Sequence, residues 1–484
     1  MSRQRILVTG GTGVVGRPLV AALCAAGNQV VVLCRRPPKD KGSLSTNCTY
    51  LSGDVSQPKL GLDEETYRDL CTSVETIFHL AARTDFKGVS VADYEAVNIN
   101  GVKNIYALTA EAGAHLHHIS TAFVCGDHAG VFHEEDLDCG QRFRNGYEES
   151  KFRGEQFLRS QMARQGAAGG PAVTIYRPSI ILERQPSQAS LNTFGPFIFL
   201  DGVFRILLAA SRKNLGEKIV RVRGDVTCSL PFIFDDNVVE ALLRISASPD
   251  THGRTFHLLS ASPCPNRMME DVFNAAFGRE AARLVDASSF QQRAATAAEK
   301  IMARKTAMYD DYLDLNIQFD RTHLEALLGS AWRPAISEEE LLTAFSIYLA
   351  SKKEEDAARV LLPSASRQGI EEYFDTFLPT FYGRQLIKGL ASLSCQFWLE
   401  IASCTSRTLK IDKGRLIDIT EGHQGAFGYK VQPATFLNVI RGSLSPQQGF
   451  FQGNISMEGN TMEALRTATA LEEFFRTCPY SASQ

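Results

Sequence analysis

The feature that most constrains the fold is a short apolar run followed at once by glycines. Residues 6–9 read Ile-Leu-Val-Thr, and they are followed by Gly10, Gly11, Thr12, Gly13, Val14, Val15 and Gly16. This order predicts a buried strand, a tight turn at Gly10 and Gly11, and the start of a helix. Gly13 would let backbone N–H groups approach a pyrophosphate, and Gly16 would let the helix pack closely on the strand.

Five more β-branched or aromatic runs alternate with helix-like segments in the first part of the chain. With the first run they cover residues 6–9, 30–33, 49–51, 76–80, 116–120 and 173–176. Strands joined by helical crossovers predict an α/β fold, a doubly wound parallel sheet of the Rossmann type. From about 180 to 350 the pattern is irregular and helix-rich, which predicts a substrate-covering region.

The length of 484 residues predicts more than one domain. Residues 351–368 are polar and charged, as expected of a linker between a first domain at 1–350 and a second at 369–484. In the second domain we expect a helix-like stretch over 370–401, then strands, and a final amphipathic helix over 462–475. The predicted second fold is a smaller α+β domain.

Composition excludes several classes of protein. The net charge of -3 gives no basic excess for nucleic acid, so we expect no nucleic-acid partner. The eleven cysteines contain no C-x-x-C pair, so we expect no metal site and a reducing, cytoplasmic location. The apolar stretch 194–210 is interrupted by charges, glycine and proline, which argues against a membrane span. Peripheral membrane contact stays open.

The end of the second strand bears on the choice of nicotinamide cofactor. An acidic residue there would bind a ribose 2′-hydroxyl, whereas guanidinium groups pair with a 2′-phosphate. The sequence has Arg35 and Arg36 at this place, which predicts NADPH. The alternative is that both arginines are ordinary solvated surface residues.

Three later segments extend the predicted cofactor site. Asp54 and Val55 follow the third strand, and the Asp54 carboxylate could accept a hydrogen bond from an adenine amino group. Ala81 and Ala82 close the fourth strand with small side chains that leave room for the cofactor. Asn98 lies on the next helix.

Tyr147 and Lys151 are four residues apart, which places both side chains on one face of a helix. The lysine charge favours ionisation of the phenol, so the tyrosine can act as a proton donor near neutral pH. Thr121 or Ser120, at the end of the fifth strand, could hold a carbonyl oxygen beside it. Strand alternation favours Thr121. If it stood alone, the Tyr147–Lys151 pair would be interpreted as an ordinary pair on a helix surface, because Y-x-x-x-K is frequent in long proteins.

These residues, with Gly53-Asp54-Val55-Ser56-Gln57-Pro58-Lys59-Leu60-Gly61-Leu62 and Tyr176-Arg177-Pro178-Ser179-Ile180, resemble the extended short-chain dehydrogenases over residues 5–185. The "GD…P.LGL" segment is typical of the branch that holds fatty acyl-CoA reductases and thioester reductase domains. The resemblance implies that Thr121 polarises a carbonyl, Tyr147 protonates it and Lys151 binds the nicotinamide ribose, with Pro178 and Ser179 near the cofactor. Cys125 departs from many relatives, and nothing after 185 can be aligned.

The resemblance implies NADPH-dependent reduction of an acyl thioester, carried on CoA or a carrier protein, to an aldehyde or alcohol. A second hypothesis is ketone or alcohol chemistry on a lipid, sterol or polyketide. A third is a cofactor-sensing or lipid-binding protein without turnover, against which the retained Tyr147 argues.

The carboxyl-terminal segment resembles sterol carrier protein-2-like domains through residues 436–446 and 450–460. The resemblance implies an apolar tunnel that accepts fatty acyl chains or sterols, and therefore a lipid ligand. The alternative is a small α+β domain whose aromatic side chains only fill a core.

Overall fold

The structure is a computed structural model that describes residues 3–37, 47–86, 88–165, 170–186, 195–212, 219–292, 294–315, 317–352, 364–386, 393–402, 404–451 and 453–481. The chain divides into two compact units. The first comprises Met1–Ser190, Thr227–Asn266 and Met308–Glu340. The second comprises Leu191–Val226, Arg267–Ala307 and Leu341–Gln484.

The strands are, in chain order, β1 (Arg5–Thr9), β2 (Gln29–Cys34), β3 (Cys48–Ser52), β4 (Thr76–His79), β5 (His115–Ile119), β6 (Gly130–Phe132), β7 (Ala172–Pro178), β8 (Ile180–Leu182), β9 (Val220–Arg223), β10 (Ser229–Leu230), β11 (Phe232–Phe234), β12 (Thr255–Leu258), β13 (Cys264–Pro265), β14 (Ala282–Val285), β15 (Ile317–Phe319), β16 (Cys395–Ile401), β17 (Thr405–Asp412), β18 (Arg415–Glu421), β19 (Phe427–Val431) and β20 (Ile455–Gly459).

The α-helices are α1 (Gly16–Ala25), α2 (Glu64–Ser73), α3 (Val91–Tyr94), α4 (Gly101–Ala112), α5 (Gly146–Gln165), α6 (Pro196–Arg212), α7 (Asp235–Ser246), α8 (Asn266–Phe277), α9 (Ala287–Gln292), α10 (Ala297–Thr306), α11 (Asp310–Leu313), α12 (Thr322–Leu328), α13 (Glu338–Ala350), α14 (Ser364–Glu372), α15 (Pro433–Ile440), α16 (Pro446–Phe451) and α17 (Thr461–Thr477). Short 3₁₀ or π-helical turns lie at Pro58–Gly61, Glu95–Asn100, Ala122–Cys125, Pro249–Thr251, Ala307–Tyr309, Tyr373–Phe377 and Leu378–Phe381.

The first unit is built on a parallel sheet in the order β12-β7-β5-β4-β1-β2-β3. The six strands expected from the sequence are all present, and the α/β Rossmann-type fold class is confirmed. The strand β12 was not expected. It has only four residues, too few for its alternation of polar and apolar side chains to stand out in a helix-rich region.

Side chains alternate across this sheet, so each strand contributes to two apolar layers. Val8 and Phe78 pack on one face with residues of α1, α7 and α12. Leu7 and Ile77 pack on the other face with residues of α2, α4 and α5. Burial of one such aliphatic or aromatic side chain contributes about 1.5–3 kcal/mol. The two layers therefore fix the strand ends where the predicted site residues lie.

The second unit contains a sheet in the order β18-β17-β16-β19-β20, with β16 and β19 parallel and the other pairs antiparallel. The final helix α17 covers the expected 462–475. The helix-like stretch expected over 370–401 is wrong at its end, because Cys395–Ile401 is the strand β16. A short apolar run in a central strand carries no periodicity that separates it from a buried helix.

Two other expectations bear on this part of the chain. The linker expected at 351–368 falls largely on residues outside the described ones, and Ser364–Glu372 at its end is helical. Within the described ranges, every helix falls short of the length and apolarity that crossing a bilayer would require.

Candidate active site

The predicted site residues of the first unit share one edge of its parallel sheet. The glycine turn follows β1, Arg35 and Arg36 follow β2, and further site segments follow β3, β4, β5 and β7, whereas Asn98, Tyr147 and Lys151 lie on helical segments. In parallel sheets of this kind ligands bind outside the carboxyl ends of the strands. The fold therefore gathers residues from widely separated parts of the sequence into one region.

The glycine turn is packed so closely that side chains are excluded. Gly10 has φ +70°, and a Cβ there would lie 2.6 Å from the backbone nitrogen of Ala81. A Cβ on Gly16 would lie 2.2 Å from the Gly10 carbonyl oxygen, so α1 starts directly against the turn. Gly13 donates its N–H to that same carbonyl at 3.0 Å. This is the compact strand–turn–helix arrangement that holds a pyrophosphate at a helix start.

Val14 and Val15 continue from the turn, and Val15 is buried in the apolar layer beneath α1 while Thr12 is exposed. After β2, both Arg35 and Arg36 are exposed. No ion pair to either guanidinium is seen among the residues that the structure describes. Both cations are therefore accessible to an anionic ligand.

Asp54 shapes the turn after β3. Its Oδ1 accepts hydrogen bonds from the backbone N–H and the hydroxyl of Ser56 at 2.9 and 2.8 Å. Its own N–H donates to the Leu60 carbonyl oxygen, which draws the segment Pro58–Gly61 back against the strand end. Lys59 and Leu60 adopt left-handed backbone angles there. Val55 is buried against Gly101.

The segment after β4 is tied to the glycine turn. Thr9 Oγ1 lies 2.7 Å from Nδ1 of His79 and accepts the Ala81 N–H at 3.2 Å. Ala82 follows directly, half-buried. Asn98 is buried. Its side-chain oxygen accepts the Arg83 N–H, and its side-chain nitrogen donates to the Arg83 carbonyl oxygen and, at 2.8 Å, to the Ser150 hydroxyl. Asn98 thus links this segment to the helix that carries Tyr147.

Thr121 and Tyr147 meet, although they lie on different elements. The Thr121 hydroxyl accepts the Phe123 N–H at 3.3 Å, lies 3.5 Å from the Pro178 carbonyl oxygen and neighbours the Tyr147 phenol. Burial raises the pKa of Tyr147 to about 12, and the Thr121 hydrogen bond partly opposes this rise. The phenol therefore holds its proton at neutral pH.

Ser120 turns away from this pair. It is buried and faces the carboxylate of Glu155, one helical turn beyond Lys151. Of the two hydroxyls between which the sequence left a choice, Thr121 is the one beside Tyr147. Ser179, the next residue after β7, is buried and donates its N–H to the Leu258 carbonyl oxygen.

Lys151 lies one turn after Tyr147 and is only 3% exposed. Its Nζ donates to the Ile119 carbonyl oxygen at 2.5 Å. Burial lowers its pKa to about 8, and the Glu155 carboxylate opposes this fall. The ammonium form therefore predominates at pH 7, with donors beyond the one that binds Ile119.

Two groups that support the site were missed from the sequence. His79 and His118 lie on β4 and β5, and burial together with the Lys151 ammonium lowers the pKa of both rings. Arg177 and Glu155 form an ion pair with both side chains fully buried. The Tyr176-Arg177-Pro178 motif was recognised in the sequence. The pairing of Arg177 with Glu155 was not, because only the one-turn spacing of Glu155 from Lys151 hints at the position of that carboxylate.

The residues present fit a nicotinamide dinucleotide. The glycine turn is a cradle that any Cβ at Gly10 or Gly16 would disrupt, and Lys151 and Tyr147 stand at the same sheet edge. A parallel sheet, a glycine turn and a Thr-Tyr-Lys set together are the arrangement that the extended short-chain dehydrogenases/reductases share. This arrangement suits an oxidoreductase that binds a nicotinamide cofactor.

Comparison with known proteins shows what the chain is similar to. Residues 8–230 match the family described as male sterility protein. The chain is 32% identical over 184 residues to the hybrid PKS-NRPS synthetase pvhA of Talaromyces variabilis, covering 37% of this chain and 4% of that protein. It is also 32% identical over 170 residues to a 3-beta-hydroxysteroid dehydrogenase of Mycolicibacterium neoaurum, covering 34% of this chain and 44% of that one.

A solved structure has the same fold. The terminal R domain from the myxalamid PKS-NRPS biosynthetic pathway superimposes with a TM-score of 0.59 at 22% identity, covering 72% of this chain and 90% of that one. The chain thus spans only a small part of the synthetases that it matches.

Proposed function

We propose that this protein reduces an acyl thioester to an aldehyde or an alcohol with NADPH. The observation that carries the proposal is the placement of the Thr121 hydroxyl beside the Tyr147 phenol, with Lys151 one helical turn further on, at the sheet edge where the cofactor turn lies. This arrangement presents two hydroxyls to one carbonyl oxygen. The similarity to PKS-NRPS synthetases supports a thioester as the carbonyl compound.

NADPH, when bound, supplies the hydride that reaches the carbonyl carbon. Thr121 and Tyr147 donate hydrogen bonds to the carbonyl oxygen, on which negative charge develops. Tyr147 transfers its phenolic proton to that oxygen, which gives a hemithioacetal. Its collapse breaks the carbon–sulfur bond and releases the aldehyde and a free thiol. A second hydride and proton would give the alcohol.

Lys151 supports this proton transfer through its charge. An ammonium group near the phenol stabilises the phenolate that forms as the proton leaves. Because one N–H bonds Ile119, the remaining donors are available to ribose hydroxyls, the role that the family resemblance implies. Lys151 therefore both orients the cofactor and assists Tyr147.

NADPH rather than NADH is supported by the end of β2. Both Arg35 and Arg36 are exposed there, and guanidinium groups form charge-assisted hydrogen bonds with phosphate. Neither Cys34, which ends β2, nor the arginines after it offer a carboxylate for a ribose 2′-hydroxyl.

For residues 369–484 we propose a sterol carrier protein-2-like domain that binds the apolar part of the substrate. The support is a cavity of about 390 Å³ in the second unit, formed between its sheet and the helices α15, α16 and α17. The wall is apolar and includes Phe397, Tyr429, Phe436, Met457 and Phe474. Phe450 and Phe451 line it too and are exposed to solvent. An acyl chain or sterol matches such a wall.

The proposal is tested by incubating the full chain with NADPH and thioesters of several chain lengths. Acyl-CoAs and acyl groups on a phosphopantetheinylated carrier protein are compared, and free thiol, aldehyde and alcohol are measured. We expect one equivalent of thiol for each first hydride, and no products with Tyr147→Phe. Oxidation of NADPH without thiol release from any thioester would refute thioester reduction.

A second candidate function is oxidation or reduction at a sterol or other lipid alcohol. The similarity to a 3-beta-hydroxysteroid dehydrogenase favours it, and the same three residues would act. NADP-dependent oxidation of a 3β-hydroxysteroid, with thioesters unreactive, would select this function instead.

A further inference from the structure

The first turn of α5, which carries Tyr147, is held by polar contacts at both of its flanks. Asn145 Oδ1 accepts the Glu148 N–H at 3.0 Å, which is the geometry of a helix N-cap. The buried Glu148 carboxylate in turn accepts the backbone N–H of Arg144 at 3.0 Å and its guanidinium at 3.2 Å. The two capping side chains therefore fix the helix start around Tyr147.

Both capping side chains meet a third residue that is remote in sequence. Tyr312 lies on α11, and its phenol donates to Glu148 Oε1 at 2.5 Å and accepts from Asn145 Nδ2 at 2.8 Å. The side chain is 6% exposed, so water competes little for these bonds. Hydrogen bonds to an ionised carboxylate are among the strong ones. Tyr312 thus closes the ring of contacts around the helix start.

The ring of Tyr312 contacts the other half of the catalytic pair. It packs edge-on against Phe123, with ring centroids 5.0 Å apart, and Phe123 donates its backbone N–H to the Thr121 hydroxyl. Phe86 also contacts both tyrosines, with centroids 6.4 Å from Tyr312 and 5.7 Å from Tyr147. One side chain therefore supports the segments that carry both catalytic hydroxyls.

We propose that Tyr312 is a positioning residue of this active site. Its hydroxyl fixes the first turn of α5, and its ring fixes the turn after β5, so that Thr121 and Tyr147 stay within hydrogen-bonding distance. A misplacement of about 1 Å can lower turnover by about 100-fold, which is why such a support matters. The proposal rests on the proposed function for the identity of the reaction, but its geometry does not depend on the substrate.

Glu148 gives the proposal a spectroscopic readout. Among the neighbours of the Tyr147 phenol, the Glu148 carboxylate and Tyr94 raise its pKa, whereas Thr121 lowers it. Burial raises the pKa of Glu148, whereas Arg144 and the Tyr312 hydroxyl lower it and so favour the carboxylate. Neutralising Glu148 should therefore lower the pKa of Tyr147.

The first experiment replaces only the Tyr312 hydroxyl, with Tyr312→Phe in the full chain. Because ring packing is kept, we expect kcat to fall by about tenfold or more while the KM for NADPH changes less than about twofold. The matched control is Tyr67→Phe, which removes a phenol–carboxylate bond of 3.0 Å to Glu111 between α2 and α4. Equal kcat in Tyr312→Phe, Tyr67→Phe and the unaltered protein would overturn the proposal.

Asn145→Ser serves if Tyr312→Phe does not fold. Serine is also a good N-cap, so only the amide donor to Tyr312 is lost. We expect a smaller fall in kcat than in Tyr312→Phe, with the KM for NADPH again nearly unchanged. An unchanged kcat would overturn the proposal.

The second experiment does not require turnover. Tyrosine labelled with ¹³C at Cζ is titrated by NMR, and the Tyr147 signal is identified by its loss in Tyr147→Phe. Glu148→Gln should move the Tyr147 titration to lower pH, and an unmoved titration would overturn the coupling of this cluster to the phenol. If the protein reduces no thioester but the titration moves as expected, the proposed function fails while the coupling of Glu148 to Tyr147 stands, and the Tyr312→Phe comparison is then repeated on whichever substrate is turned over.

Discussion

Glu155 and Arg177 form a two-point ion pair in which neither side chain reaches solvent, with Nη2–Oε1 2.6 Å and Nε–Oε2 3.1 Å. Glu155 lies on α5 one turn after Lys151, and Arg177 lies on β7, the strand that ends beside Thr121. The pair therefore joins the helix that carries Tyr147 to the sheet.

Glu155→Gln should destabilise the protein, because it leaves the Arg177 guanidinium buried without its counter-charge. Breaking a buried pair from one side typically costs about 3–5 kcal/mol. The measurement is urea unfolding followed by fluorescence or circular dichroism. Glu240→Gln, which breaks the exposed pair with Arg244, is the control and should cost less than about 1 kcal/mol. Equal losses in the two variants would contradict the assigned role of burial.

Thr121→Val should lower turnover by about 100-fold, because one of two hydrogen-bond donors to the developing oxyanion is lost. Valine keeps the branched shape of threonine, so cofactor binding should change little. Ser120→Ala is the natural control, since the Ser120 side chain faces Glu155 instead. A larger loss in Ser120→Ala than in Thr121→Val would reverse the assignment of the catalytic hydroxyl.

Activity should decline as the pH rises through about 8, the pKa to which burial lowers Lys151. Below that pH the ammonium is present, and above it the group becomes neutral and no longer stabilises the phenolate. The initial rate of NADPH oxidation at saturating substrate, measured from pH 6 to 10, checks this. Lys151→Arg keeps its charge throughout, so its residual activity should lack the decline near pH 8. An identical decline in that variant would exclude Lys151 as its cause.

Arg35→Ala combined with Arg36→Ala should raise the KM for NADPH far more than that for NADH. Hydrogen bonds to charged groups are typically worth about 1.5–3 kcal/mol, and only NADPH has the 2′-phosphate to receive them. Steady-state kinetics with both cofactors check the prediction. The exposed Arg68, on α2, provides the control as Arg68→Ala. Equal rises in the KM for NADPH and for NADH would indicate that the two arginines are ordinary solvated surface residues.

Much of the first unit could be predicted from local sequence, and the reason is physical. Each of its first strands ends in residues of distinctive chemistry, so the shared sheet edge follows from the parallel topology alone. By contrast, the contact of Tyr312 with Glu148 spans 164 residues, and no local pattern encodes it. The strand β16 was missed for a related reason, since its apolar run fits a helix or a strand until its neighbours β17 and β19 are known.

The last prediction concerns the cavity in the second unit and uses the intact chain. Ala468 lines that cavity from α17, and a larger side chain there would occupy the space proposed for an acyl chain. Ala468→Trp should therefore weaken binding of a fluorescent fatty acid and raise the KM for long-chain thioesters.

Short, water-soluble thioesters need no such cavity, so their kcat/KM should stay near that of the unaltered protein. The exposed neighbour Arg466 does not line the cavity, and Arg466→Trp adds the same indole outside it as a control. If the cavity captures the chain, binding should also show a negative heat-capacity change, the mark of apolar burial. A parallel loss on short and long substrates in Ala468→Trp, with Arg466→Trp unaffected, would contradict substrate capture. Such a result would assign residues 369–484 a structural role, because a change in the cavity would then lower the reductase activity whether or not the substrate carries a long chain.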